Sequence, residues 1–233
     1  MCTRFVYNGD DTITGFNFEI DLSVWSHKVI PERDRFFIGI RAADGEYHSY
    51  HGVNSSGSAA TLLYVHGNDK ATFSPNEGCV NVATLNEEFI KGRISFDEAV
   101  RTVETKRIVY APDATMQTLL SCKDGRTLIV EPGIGYRNER KRYSLITNYS
   151  VLRPESTSPY IVEGDDRYER TKALLEAADQ DFSVKDAFAV LKAVSQEGIW
   201  ATRVAFVYSA KQNRVYYVEN NNFSDVMEWS FAV

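Results

Sequence analysis

Met1-Cys-Thr-Arg-Phe-Val-Tyr-Asn-Gly-Asp-Asp-Thr-Ile-Thr-Gly-Phe-Asn-Phe-Glu-Ile-Asp21 opens the chain. Phe5, Tyr7, Ile13, Phe16, Phe18 and Ile20 put aromatic and β-branched side chains on either side of Asn8-Gly9-Asp10-Asp11, so residues 2–7 and 12–20 are predicted to form a β-hairpin. Side chains two apart on a strand share a face, which places Cys2 and Arg4 together. Met1 is predicted to be removed, leaving a thiol and an α-amine on the same Cα of Cys2. The reference pKa of such an amine, about 7.7 to 8.0, leaves a useful neutral fraction near neutrality. One residue then supplies both a nucleophile and a general base.

Outward from the hairpin, residues 21–34 read as a loop carrying Trp25, His27 and Pro31. Segments 36–41, 47–51 and 59–65 read as strands, broken at Asp44-Gly45 and at Asn54-Ser-Ser-Gly57. Ser95-Phe-Asp-Glu98 is a capping-box pattern followed by Ala99, Val100 and Val103 at helical spacing, and a further helix is expected over 86–91. Strands return over 115–122, 126–131 and 143–147. Two amphipathic helices are predicted over 165–178 and, behind a Ser183 cap, 184–194; the chain then ends in strands at 202–208, 215–218 and 226–231. No repeat, low-complexity tract or linker interrupts this order. An α+β fold with helices covering sheet faces follows, as one domain over 1–233.

Composition narrows the partners. At 43% hydrophobic and 25% charged residues the chain is ordinary for a soluble globular protein. A net charge of -6, with no long Lys/Arg run, argues against nucleic acid and anionic membrane surfaces. No apolar run reaches the ~18 residues of a spanning helix, and the N-terminus lacks signal-peptide character, so a cytoplasmic location is expected. Cys2, Cys79 and Cys122 are irregularly spaced and odd in number, which suits free thiols. His48 and His51 fall on opposite faces of a strand with no ligand pattern to complete a zinc site, so no metal is expected. Neither a G-x-S-x-G elbow nor a phosphate-binding glycine loop occurs, and no cofactor is expected.

Five segments in order, Met1-Cys-Thr3, Gly15-Phe-Asn-Phe-Glu-Ile-Asp21, Gly52-Val-Asn54-Ser-Ser-Gly57, Leu145-Ile-Thr-Asn148 and Gly164-Asp-Asp-Arg167-Tyr-Glu-Arg170, resemble the linear amide C–N hydrolases. That family includes the choloylglycine (bile salt) hydrolases and penicillin V acylases, N-terminal nucleophile enzymes built as a four-layer αββα sandwich. The resemblance implies that fold here, with Cys2 as the nucleophile freed by removal of Met1. It further implies that Asn54 and Asn148 hold the oxyanion, that Arg167 supports the nucleophile electrostatically, and that Glu19 takes the place of an aspartate beside the amine. The family reads Gly-Arg-Asn-x-Asp where this chain has Gly15-Phe16-Asn17-Phe18-Glu19. A cation that would favour thiolate is thereby replaced, and Arg4 is expected to supply part of its charge.

The residue types suit that chemistry. A thiol of reference pKa about 8.5 is only slightly ionised at neutral pH and gains from an adjacent base. Side-chain amides at 54 and 148 can donate to a developing oxyanion. Phe18, Trp25, Phe73 and Tyr149 flank these segments and are expected to line an apolar acyl pocket. Structural roles compete at the same positions: Asn54 is a turn former, Asn148 ends a strand, and Arg167 follows the acidic pair Asp165 and Asp166. The implied activity is hydrolysis of a linear amide in an N-acylated small molecule through a Cys2 thioester, with self-association left open. The alternative is a catalytically silent αββα protein that binds a small acylated ligand or a protein partner in the same cleft, a reading motivated by Phe16 and Glu19.

Overall fold

In the computed structural model, which describes residues 1–231, the opening hairpin sits in the middle of the architecture. Strand β1, Thr3–Asn8, turns Phe5 and Tyr7 to one face and Arg4 and Val6 to the other; β2, Thr12–Glu19, returns antiparallel with Thr3 opposite Asn17. Gly15 lies against the Phe5 ring so closely that a Cβ there would fall 2.3 Å from it, a contact only glycine avoids.

Four strands follow: β3 His27–Pro31, β4 Arg35–Arg41, β5 Tyr47–Asn54 and β6 Ala59–Tyr64. A short parallel pair, β7 Cys79–Asn81 and β8 Arg107–Val109, brackets helices α1 Val82–Ile90 and α2 Phe96–Thr105. Next come β9 Met116–Ser121, β10 Thr127–Glu131, β11 Gly135–Glu139 and β12 Tyr143–Ile146, then helices α3 Arg167–Ala177 and α4 Val184–Ala193. Strands β13 Thr202–Ser209, β14 Arg214–Glu219 and β15 Met227–Ser230 close the described chain. The first sheet runs β12-β1-β2-β13-β14-β15 and the second β11-β10-β9-β6-β5-β4-β3, with antiparallel pairing throughout.

Period-two alternation sends each strand's apolar residues to both faces, and three large cores result, with a small fourth cluster of Val65, Ala71 and Tyr110. Between the sheets lie Cys2, Val6, Phe16, Phe18, Phe36, Leu119 and Phe206. Leu62, Leu120 and Leu128 pack outward against Phe89, Phe96 and Ala99 of α1 and α2. Phe5, Tyr7 and Val207 pack outward against Leu175, Phe188 and Leu191 of α3 and α4. The layering is therefore the predicted αββα sandwich.

Local signals acted as predicted where they were explicit. Ser95 Oγ accepts from the Glu98 N–H at 3.2 Å while Glu98 Oε2 accepts from the Ser95 N–H at 2.8 Å, a complete capping box at the start of α2. Elsewhere the structure differs. Part of the segment expected as a loop is β3, an edge strand ending at Pro31, and polar β11 forms the opposite edge; edge strands carry little of the alternating apolar pattern that marks a strand in sequence. Helix α1 begins earlier than expected, at Val82, because the Asn81 side chain caps it by accepting from the Ala83 N–H at 2.7 Å. Among the described residues, no helix is long and apolar enough to cross a membrane, and no cluster of His, Cys, Asp or Glu is placed to hold a metal ion.

Candidate active site

Strand pairing brings the start of β1, the end of β2 and the end of β12 to one corner of the first sheet, and the first residue of α3 reaches over it. Four predicted residues meet there. Asn148 Oδ1 accepts from the Cys2 backbone nitrogen at 2.7 Å and from Arg167 Nη2 at 3.1 Å. Arg167 Nη1 donates to the Cys2 carbonyl at 3.0 Å and approaches Glu19 Oε2 at 3.4 Å. The Cys2 thiol lies 3.8 Å from the Glu19 carbonyl oxygen. Met1 sits on the cluster, its ammonium donating to the same carbonyl at 3.1 Å and its sulfur 3.5 Å from Arg167 Nη2.

Three contacts missed by sequence reasoning complete this network. Asp165 grips Arg167 with both oxygens, at 2.8 Å from Nε and 2.7 Å from Nη2, a forked pair. Thr202 Oγ1 donates to Glu19 Oε1 at 2.8 Å from a point where β13 shifts register. Asn148 Nδ2 donates to the Tyr64 carbonyl at 2.8 Å. An acid two residues before a helix-start arginine was a readable hint for Asp165; a main-chain carbonyl such as that of Tyr64 leaves no signature in a sequence.

Electrostatics divides the two carboxylates. Asp165 is held below the usual carboxylate range by Arg167 despite the opposing effect of its burial. Glu19 is pushed up to about 8, because desolvation outweighs the attraction of Arg167 and the chain's amino group and the Thr202 hydrogen bond. One cation thus neutralises one acid, and Glu19 is left able to hold a proton at neutral pH. The Cys2 thiol is also raised, first by burial, while the amino group pulls it down and Glu19 pushes it up. A thiol so placed stays protonated until a base removes its proton.

A pH dependence follows. The Glu19 carboxyl binds its proton more tightly folded than unfolded, so the stability it contributes is full below about pH 4.5 and is lost as the pH rises through about 8. Melting temperatures measured across that range are expected to fall for the wild-type chain and to fall less for Glu19→Gln. Identical slopes in the two proteins would contradict the assignment.

Other expectations change. Asn54 does not turn a donor toward Cys2: its Oδ1 accepts from the Ser56 and Ser58 N–H groups, both at 3.0 Å, and its Nδ2 donates to the Phe89 and Ile90 carbonyls at 3.5 and 3.2 Å. Those bonds use the amide's full capacity on the turn and on carbonyls in the last turn of α1. Gly57, at φ 82°, completes the turn. Arg4 is fully buried, but its guanidinium donates to the Phe5 carbonyl and, at 2.8 Å, to Ser121 Oγ, with no carboxylate partner among the described residues. Desolvation lowers its pKa to about 9. The cation that touches Cys2 is Arg167.

At the position of the missing arginine, Phe16 stacks on His51 with ring centroids 5.4 Å apart, and Phe18 approaches the same imidazole at 5.0 Å. His51 is buried and driven down to about 3, so it is neutral, with Nδ1 accepting from the Leu62 N–H. Phe18 shares a core with Cys2, and Trp25 packs on the border of that core. Tyr149 donates its hydroxyl to Asp165 at 2.8 Å. Phe73 stands exposed and belongs to none of the described clusters.

The chain is thus a four-layer αββα sandwich with a buried thiol just before its first strand. Among solved structures, the chain is similar to penicillin V acylase from Agrobacterium tumefaciens, at 17% identity and TM-score 0.70 over 98% of this chain and 86% of that one. It is similar to a variant of conjugated bile acid hydrolase from Clostridium perfringens, at 15% identity and TM-score 0.72 over 98% and 92%. A Caenorhabditis elegans ortholog of N-acylethanolamine-hydrolyzing acid amidase matches at 13% identity and TM-score 0.57 over 90% and 93%. At these identities the likeness is one of fold. No protein-family model matches the chain, and no curated protein matches it in sequence.

Proposed function

We propose that the chain is an N-terminal cysteine amidase that hydrolyses a linear C–N bond in an N-acylated small molecule. The observation that carries the reading is the convergence of Cys2 and Glu19, from the two arms of the opening hairpin, with Asn148 and Arg167, far along the chain, onto one corner of the sandwich. Removal of Met1 turns the Cys2 nitrogen, now 2.7 Å from Asn148 Oδ1, into a free α-amine. A Glu19 carboxyl that keeps its proton does not lock that amine as ammonium, so the amine is free to act as the base.

In this reading the amine takes the thiol proton, the sulfur adds to the amide carbonyl, and the oxyanion meets the second N–H of Asn148 Nδ2, whose first is spent on Tyr64. Collapse of the tetrahedral adduct breaks the C–N bond, and the amine returns its proton to the departing nitrogen. Water then attacks the thioester, releasing the acid and restoring the thiol. Arg167 positions Cys2 through its carbonyl and holds Asn148 in line. Phe16, Phe18 and Trp25 offer the acyl group an apolar wall.

A chain shown by intact mass to retain Met1 is expected to be inactive toward N-acyl amides, and the same preparation freed of Met1 active. Full turnover by the Met1-bearing protein would overturn the mechanism.

A further inference from the structure

Asn148 stands two residues beyond the end of β12, whose last partner on β1 is Arg4, opposite Ile146, so the ladder of its own sheet stops short of it. Its side chain is nevertheless committed at three points. Oδ1 accepts from the Cys2 nitrogen and from Arg167, and one N–H of Nδ2 goes to the Tyr64 carbonyl. An amide aimed so closely needs a main chain that stays in place, since a misplacement of about 1 Å in a reacting geometry can cost about 10²-fold in rate.

The hold comes from the other sheet. Gln117 is the second residue of β9, and it shares a strand face with Leu119, which lies between the sheets, whereas Leu120 packs outward against the helices. Gln117 Nε2 donates to the Thr147 carbonyl at 2.7 Å and to the Tyr149 carbonyl at 3.2 Å. Both N–H groups of one carboxamide are thus spent on the carbonyls to either side of Asn148. A reversed amide would set one acceptor against two others, so these contacts fix which way it faces. In the same ladder Leu63 pairs with Gln117, and Tyr64, whose carbonyl takes Asn148 Nδ2, pairs with Met116. One end of the β6 and β9 pair therefore grips Asn148 twice, through its side chain and through its backbone.

Packing alone does not account for a glutamine at this position. The residue is fully buried and its Oε1 meets no donor among the described residues, so a methionine of similar length would fill the space without stranding an acceptor. What the amide adds is its two donors.

We propose that Gln117 is a positioning residue of the Cys2 site, holding the main chain from Thr147 to Tyr149 so that the second N–H of Asn148 Nδ2 meets the oxyanion. The inference rests on the amidase reading and adds to it a residue of the second sheet that acts through Asn148.

The test follows hydrolysis of N-octanoylglycine and N-octanoylethanolamine by the Met1-free protein, with kinetics taken on the faster of the two. Gln117→Met is expected to lower kcat about 10- to 100-fold with KM little changed, because the acyl wall is intact and only the contact to the oxyanion is displaced. Alkylation of Cys2 by iodoacetamide, a displacement at carbon that forms no oxyanion, is expected to keep its wild-type rate. Asn148→Ala is expected to cost about 10²- to 10³-fold in kcat, and adding Gln117→Met should make it no worse, since nothing is left to position. Gln117→Glu is a second variant of the same shape whose carboxyl donates once at most, so its kcat relative to wild type is expected to fall as the pH rises and that donor is lost. Wild-type kcat in both Gln117 variants, an equal loss in the alkylation rate, or losses that multiply in the Gln117→Met, Asn148→Ala double variant overturns the positioning role and leaves the amidase reading standing. No turnover of either amide by the wild-type chain together with no acyl adduct on Cys2 overturns both.

Discussion

Cys2→Ala is expected to abolish turnover, lowering kcat on the order of 10⁶-fold, as removal of a covalent nucleophile does elsewhere. The change deletes one sulfur atom from the inter-sheet core and leaves the hydrogen bonds of the Cys2 backbone in place, its nitrogen to Asn148 and its carbonyl from Arg167. Folding is therefore expected to persist, and melting temperature should change little. Substrate binding should also survive, because the proposed acyl wall of Phe16, Phe18 and Trp25 is built from other residues. An alanine variant that still hydrolyses amides at an appreciable rate would remove Cys2 from the chemistry. It would turn attention to Cys79 or Cys122, of which Cys122 has a thiol pushed up to about 12 by burial and by Asp124.

Arg167→Leu is expected to damage stability and turnover together. The Asp165 side chain is only 5% exposed, and its forked partner would be lost, leaving a carboxylate with no cation beside it. Breaking a buried pair from one side costs about 3–5 kcal/mol. For a chain of this length that corresponds to a fall in melting temperature on the order of 10 °C. Adding Asp165→Asn should recover part of the stability by removing the orphaned charge, while turnover stays low because the Cys2 carbonyl and Asn148 have lost their donor. Equal stability of the single and double variants would mean that Asp165 takes up a proton once Arg167 is gone.

Most of the architecture was legible because its signals are local. The hairpin turn at Asn8-Gly9, the capping box at Ser95, the cap at Ser183 and the alternation along β13 each specify a short element without reference to the rest of the chain. Edge strands β3 and β11 escaped because an edge strand buries too little to need a regular apolar pattern. Within the site, Cys2, Asn148, Arg167 and Glu19 were nominated through the family resemblance, and the fold brings these four into one hydrogen-bonded cluster. Asn54 misled for a physical reason: the turn that makes the residue recognisable also consumes its side chain. Arg4 was placed on the right face of β1, yet the strand carries it one step deeper into the sandwich, where it reaches Ser121. The protonation of Glu19 depends on its desolvation set against the nearby Arg167 charge, a balance fixed in three dimensions.

The central claim is that Cys2, once N-terminal, forms a covalent acyl-enzyme. Intact mass of the Met1-free protein, quenched in acid within the first turnovers of an N-acyl amide, tests it directly. The account predicts a species heavier by the acyl group alone, mapped by peptide digestion to Cys2, absent from Cys2→Ala and decaying as substrate is exhausted. Steady hydrolysis of the amide by the wild-type chain with the acyl group found on another residue would contradict it.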